Sequence, residues 1–188
     1  MNKVEQILQE TGALLTGHFQ LTSGRHGAQY MQCAKVLQYP EHTRYIAETL
    51  AENFKGEKVD IVLAPAVGGI VLGYELARAL GAKSIFAERE EGKMTLRRGF
   101  EIPKGASVVV AEDVVTTGGS TKEVMAIAEE YGANILGTCV MVDRSGGKLD
   151  FGVKFAAAYT ANIVSYEPEN CPLCKEGLPM IKPGSRKL

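Results

Sequence analysis

Apolar positions along this chain recur first at helical spacing and later as short continuous runs separated by helical segments. Val4, Ile7 and Leu8 mark one face of a helix over residues 2–11, with Gly12 as its stop. Residues 15–36 hold no such period and read as loop-rich, around the polar run Thr22-Ser23-Gly24-Arg25-His26-Gly27. Pro40 opens a second helical pattern in which Ile46, Leu50 and Phe54 recur before Gly56. From residue 59 the order becomes strand, turn, helix, and then repeats. Apolar runs at 59–64, 84–87, 108–111 and 135–142 predict four strands, and 155–158 a fifth. Helices are predicted at 70–80, stopped by Gly81, and at about 120–131. The charged segment 88–98 interrupts the alternation.

Continuous Val, Ile and Leu runs suit strands buried on both faces, and intervening helices require parallel pairing. The expected class is therefore α/β: a doubly wound, mostly parallel sheet flanked by helices, with an N-terminal hood left over. The 188 residues fit a single domain, divided into a hood at 1–36, a core at 37–168 and a tail at 169–188. Ligands of such sheets bind beyond the carboxyl ends of the strands. The turns after the first, third and fourth predicted core strands are thus where chemistry is expected.

Composition narrows the partners. A hydrophobic share of 45% supports a sizeable core, and a net charge of −1 gives no footing to a nucleic-acid platform or a membrane-surface protein. The opening MNKVEQILQE lacks the apolar stretch of a signal peptide, and no run approaches the roughly 18 apolar residues of a membrane span. Four cysteines without a secretory signal point to a reducing compartment. The expectation is a cytoplasmic protein with small-molecule partners.

The third core strand ends in unusual chemistry. Val108-Val109-Val110-Ala111 runs straight into Glu112-Asp113, then Val114-Val115-Thr116-Thr117-Gly118-Gly119-Ser120-Thr121. Adjacent carboxylates at a buried strand end repel each other and resist desolvation, so leaving both there costs stability. A sugar diol suits them, because two hydroxyl donors match two acceptors. The glycines let a backbone approach an anion, and hydroxyls with helix-start N–H groups donate to it. Together they match one ribose 5-phosphate. The residues alone also permit a capped helix behind a solvated acidic pair. The GxxxxGK[ST] pattern of nucleotide triphosphate loops is absent.

This stretch resembles the phosphoribosyl-diphosphate signature of type I phosphoribosyltransferases over its whole length, and the chain resembles the orotate phosphoribosyltransferase family from end to end. Leu21-Thr22-Ser23-Gly24-Arg25, Ala64-Pro65-Ala66-Val67-Gly68-Gly69 and Val142-Asp143-Arg144-Ser145-Gly146-Gly147 fall where that family places its base and diphosphate elements. The resemblance implies a type I phosphoribosyltransferase fold acting with Mg²⁺ on orotate and 5-phosphoribosyl 1-diphosphate in pyrimidine (UMP) biosynthesis. It implies a homodimer in which segment 88–98 is a mobile lid over the partner's site. Donor binding falls on Arg89, Lys93 and residues 112–120, with Lys93 catalytic. Val67, Gly68 and Gly69 form the diphosphate loop, although many relatives carry lysine at Gly68. Within the lid, Glu90 and Thr95 stand where relatives carry lysine and histidine. Base contacts are implied for Thr116, Arg144, Tyr30 and Met31.

The residues themselves support part of this. A guanidinium fork at Arg144 matches a carboxylate, which orotate has and uracil lacks, although pairing with its neighbour Asp143 is an alternative. Taken alone, 64–69 is equally a plain strand-to-helix turn. On composition, 88–98 reads as a solvated hairpin. Rival functions are transfer to uracil or a purine, or a donor-sensing regulator that binds nucleic acid. Cys171-Pro172-Leu173-Cys174 supplies two ligands where a structural zinc needs four, so no metal site is assigned. His18, His26 and His42 show no ligand spacing and read as surface or loop residues.

Overall fold

A computed structural model describes residues 2–21, 24–161 and 164–182 of the protein. In chain order the first elements are α1 (Lys3–Glu10), β1 (Leu14–Gln20), β2 (His26–Met31), α2 (Ala34–Leu37) and α3 (Pro40–Ala51). Next come β3 (Ile61–Pro65), α4 (Gly68–Leu80), β4 (Lys83–Glu90), β5 (Lys93–Leu96), β6 (Ser107–Val115), α5 (Gly119–Glu130) and β7 (Asn134–Asp143). The remainder is β8 (Lys154–Thr160), β9 (Ser165–Tyr166), α6 (Pro172–Lys175) and β10 (Met180–Ile181). These elements form two compact units, one of residues 37–161 and one of residues 1–36 with 162–188. The core read from the sequence ran to residue 168, but β9 pairs with β2 in the second unit. No helix among the described residues is long and apolar enough to cross a membrane.

The larger unit holds a six-stranded sheet in the order β5-β4-β3-β6-β7-β8, parallel throughout except for the β4–β5 pair. All five residues of β3 are buried, as continuous apolar runs dictate for a central strand. Val108, Val109 and Val110 of β6 are fully buried. Each contributes roughly 1.5–3 kcal/mol by leaving water, which offsets the cost of the carboxylates carried further along the same strand. The first-turn glycines Gly68 and Gly69 start α4 two residues earlier than the apolar period indicated.

Segment 88–98 forms the hairpin that its composition suggested. Strand β4 continues to Glu90 and folds back on β5, with Glu90 opposite Lys93 and Arg89 opposite Met94. The two-residue turn Glu91-Gly92 has φ of 51° and 84°, the conformation that matches the twist of a tight hairpin. The flanking charges pair off at its surface: Arg98 grips Glu88 through two bonds of 2.7 and 2.8 Å, and Arg97 lies 3.5 Å from Glu90.

The smaller unit contains a four-stranded sheet in the order β10-β1-β2-β9. Its central antiparallel pair sets Leu14 opposite Met31 and Gln20 opposite His26. Sequence reading took this stretch as loop, because Gly17, His18, Gln20 and Gln29 dilute any apolar alternation. Helix α1 buries Val4, Ile7 and Leu8, and the Asn2 side chain caps it by accepting from the Val4 N–H at 3.1 Å. His18 and His26, expected on the surface or in loops, are buried at 3% and 6% exposure. His42 is half-buried on α3.

Candidate active site

Parallel pairing brings the carboxyl ends of β3, β6 and β7 to one edge of the six-stranded sheet. The turn after β6 lines an open cavity of about 250 Å³, whose walls include Glu112 and Thr116 to Thr121. Val114 and Val115 close the strand between them. Gly118 has φ of 76° and forms the N-cap of α5. A Cβ there would stand 2.9 Å from the Phe151 ring, so both conformation and space require glycine. No side chain caps α5, which leaves the amides of Gly119, Ser120 and Thr121 to a ligand. Thr121 is 1% exposed, and its hydroxyl is buried without a hydrogen-bond partner. A buried hydroxyl beside uncapped amides is a donor set suited to a phosphate.

Of the acidic pair, Glu112 lines this cavity. Glu112 is buried and Asp113 partly so, and Asp113 Oδ1 accepts from the Val114 N–H at 3.0 Å. Burial pushes both carboxyl groups above their ordinary values, and the charge of Asp113 raises Glu112 further. Both carboxylates face the turn between β3 and α4. A Cβ on Gly68 would meet Asp113 Oδ2 at 2.5 Å, and one on Gly69 would meet Glu112 Oε1 at 3.2 Å. The turn holding Val67, Gly68 and Gly69 also contains a cis peptide between Ala66 and Val67.

Arg89 lines the same cavity, where it donates to Glu123 Oε2 at 2.5 Å and to the Gly92 carbonyl at 2.8 Å. Lys93 is exposed at the hairpin turn and is not part of that lining. Sequence reasoning missed Thr121 and Glu123 as site residues. Thr121 directly follows the glycine-hydroxyl run and could have been included. Glu123 carries no local signal beyond its position one turn into α5.

Arg144 follows β7, and its N–H donates to the Val115 carbonyl at 2.8 Å, which fixes this loop against the end of β6. Its Nε is buried with no hydrogen-bond partner. The neighbouring Asp143 accepts instead from the Ser145 and Gly147 N–H groups, at 2.7 and 2.9 Å. Asp143 therefore braces its own loop and leaves the guanidinium for another acceptor.

The remaining predicted base contacts lie in the smaller unit. Tyr30 donates to Gln32 Oε1 at 3.3 Å and packs against Phe19, and Met31 is 5% exposed. Of the segment 21–25, Thr22 and Ser23 lie outside the described residues. Arg25 donates to the Ser165 hydroxyl and carbonyl at 2.9 and 2.8 Å and pairs with Glu167, so it serves to hold β9.

Residues 35–155 match the family model for the phosphoribosyl transferase domain. An orotate phosphoribosyltransferase of Pelotomaculum thermopropionicum is 53% identical over 187 residues, covering 100% of this chain and 98% of that protein. One of Caldicellulosiruptor saccharolyticus is 55% identical over 183 residues, with 97% of this chain and 96% of that protein covered. Among solved structures, orotate phosphoribosyltransferase from Aeropyrum pernix superposes with a TM-score of 0.69 at 27% identity, covering 84% of this chain and 93% of that one.

Proposed function

The chain belongs to the orotate phosphoribosyltransferase family, and from that premise we propose how its residues divide the reaction. It transfers the ribose 5-phosphate unit of 5-phosphoribosyl 1-diphosphate to orotate, giving orotidine 5′-phosphate and diphosphate for pyrimidine biosynthesis. One observation carries the assignment of the site: a single cavity joins a buried acidic residue to an uncapped helix start that holds an unpartnered hydroxyl.

Glu112 and Asp113 accept hydrogen bonds from the ribose hydroxyls. Their raised pKa values fit that task, because sugar O–H donors stabilise the charged form that burial opposes. The amides of Thr117 to Thr121, with the Thr116, Thr117 and Ser120 hydroxyls, hold the 5-phosphate. Gly68 and Gly69 present backbone to the diphosphate, where a side chain would collide with the acids. Carboxylates and hydroxyls form a hard oxygen donor set that fits Mg²⁺. Glu112 and Asp113 are the residues to hold it, together with the donor's own oxygens. Bound Mg²⁺ supplies neutralisation of the departing diphosphate.

Arg144 receives the orotate carboxylate, and its buried, unpartnered Nε supports that role. Thr116, Tyr30 and Met31 complete the base contacts. Hairpin 88–98 acts as a lid across a homodimer, with Lys93 placing its charge on the leaving diphosphate and Arg89 assisting. Closure excludes water, whose attack on the activated sugar is the competing reaction. The enzyme works in the cytoplasm. Loss of orotate absorbance on adding protein, donor and Mg²⁺ tests the proposal. Consumption that requires all three supports it, and an unchanged orotate signal overturns it.

A further inference from the structure

Beyond this reaction, four side chains of the smaller unit converge at a point that the transferase chemistry does not use. His18 on β1, His26 on β2, and Cys171 and Cys174 flanking the start of α6 offer one ligand atom each, all within 4.8 Å of one another. His18 Nε2 lies 3.1 Å from His26 Nδ1 and 3.7 Å from each of the Cys171 and Cys174 sulfurs. Cys174 Sγ lies 3.3 Å from His26 Nδ1. We propose that these residues form a structural zinc site that fastens the C-terminal segment to the β1–β2 hairpin.

Hydrogen bonding alone serves this cluster poorly. His18 Nδ1 lies 2.9 Å from the Leu178 carbonyl, which can only accept, so the ring proton sits on Nδ1. His18 Nε2 is then a bare lone pair, approached by three groups at once. One lone pair accepts one good bond. If the His26 Nδ1–H supplies it, Nδ1 has nothing left with which to accept the Cys174 thiol 3.3 Å away. A central cation satisfies all four atoms together.

The distances match that cation. Zinc takes imidazole nitrogen at about 2.0–2.1 Å and thiolate at about 2.3 Å, so tetrahedral angles put nitrogens about 3.3 Å apart and sulfur about 3.5 Å from nitrogen. The observed nitrogen separation of 3.1 Å is slightly shorter than that value, and the sulfur–nitrogen separations of 3.3 to 3.7 Å bracket theirs. Two nitrogens with two thiolates form the ligand set that selects zinc. Two thiolates also cancel the charge of Zn²⁺, and the thiol protons leave to solvent on binding. Neutrality suits a site where His18, His26 and Cys171 are buried. The Leu178 carbonyl fixes the tautomer of His18, as an outer partner of a ligating histidine commonly does.

The placement gives the site a task. The C-terminal segment joins the sheet through two short strands, β9 and β10, each of two residues. Two register pairs apiece hold them, Met180 and Ile181 against β1 and Ser165 and Tyr166 against β2. Even with the Arg25 bonds to Ser165 and Glu167, that is little to order residues 165–182. A metal bonded to both hairpin strands and to both ends of a CxxC turn supplies the missing fastening.

Elemental analysis of the full-length protein, produced with zinc available and purified without chelator, is the test. The expected result is one zinc per chain, retained by Cys33→Ser and lost in Cys174→Ser and in His18→Asn. Should those variants fail to fold, cobalt replacement in the wild-type protein decides. Visible absorption of tetrahedral Co²⁺ with a thiolate charge-transfer band supports the site. Protein free of zinc after supplementation, zinc retained by both variants, iron or copper in its place, or an intact mass showing a Cys171–Cys174 disulfide overturns it.

Discussion

The carboxylate of Asp113 lies where a side chain of residue 68 would have to start: a Cβ on Gly68 would come within 2.5 Å of Oδ2 and 2.6 Å of Cγ. Gly68 stands at the first position of α4, and the carboxylate is held against that helix start by the Val114 N–H. A side chain at this position is accommodated only if the Asp113 carboxylate moves, and in the proposed site backbone makes the diphosphate contact.

Gly68→Ala forces Asp113 off this position. Small-to-large changes in packed sites cost about 1–3 kcal/mol, and here the displaced group is a donor ligand. The expected outcome is a lowered thermal midpoint with at least a tenfold rise in KM for 5-phosphoribosyl 1-diphosphate, read by calorimetry and by donor titration.

Glu112 gives the site a pH signature. Its native pKa lies above the ordinary 4.5, so the stability it contributes is complete below that value and is lost as pH rises toward the native one. The midpoint of the ligand-free protein should therefore fall with rising pH, and Glu112→Gln should flatten the slope. Donor with Mg²⁺ restores the charged form, so binding should release protons. Titration calorimetry in buffers of different ionisation enthalpy measures that release.

If Arg144 receives the orotate carboxylate as proposed, removing it leaves that carboxylate unpaired. Truncating one partner of such a pair costs about 2–5 kcal/mol, so Arg144→Ala should raise KM for orotate at least about thirtyfold. Donor KM should stay within about twofold, since Arg144 serves the base. Steady-state titration of each substrate separates the two.

Arg89 is held by Glu123 in the ligand-free protein at 2.5 Å, with both side chains nearly half exposed. Exposed pairs are worth about 0.2–1 kcal/mol, so Glu123→Ala should free Arg89 and lower donor KM by no more than about fivefold. Lys93→Ala should instead lower kcat about 10²- to 10³-fold with little change in donor binding, the mark of a charge used in the transition state. Single-turnover rates check the second, and a donor binding isotherm the first.

Much of this was legible in the chain. The run from Val108 to Val110 announced a buried strand, and Glu112-Asp113 so close behind it marked the candidate site. Local patterns of that kind survive folding because strand and turn are contiguous. The hairpin at 88–98 was legible in its composition, although charge on both of its strands hid where each strand begins and ends. Strands β1 and β2 were hidden by glycine and polar residues on a short two-sided sheet. The cluster of His18, His26, Cys171 and Cys174 could not be read at all from spacing. It forms because β1 and β2 pair antiparallel and the chain returns some 150 residues later.

The central claim is that the acidic pair and the hydroxyl-lined start of α5 grip opposite ends of one sugar phosphate. A crystal structure of the protein with ribose 5-phosphate bound measures this directly. The account predicts phosphate oxygens on the amides of residues 117–121, with the two ribose hydroxyls on Glu112 and Asp113. A sugar phosphate bound elsewhere, or seated with both carboxylates turned to solvent, would contradict it.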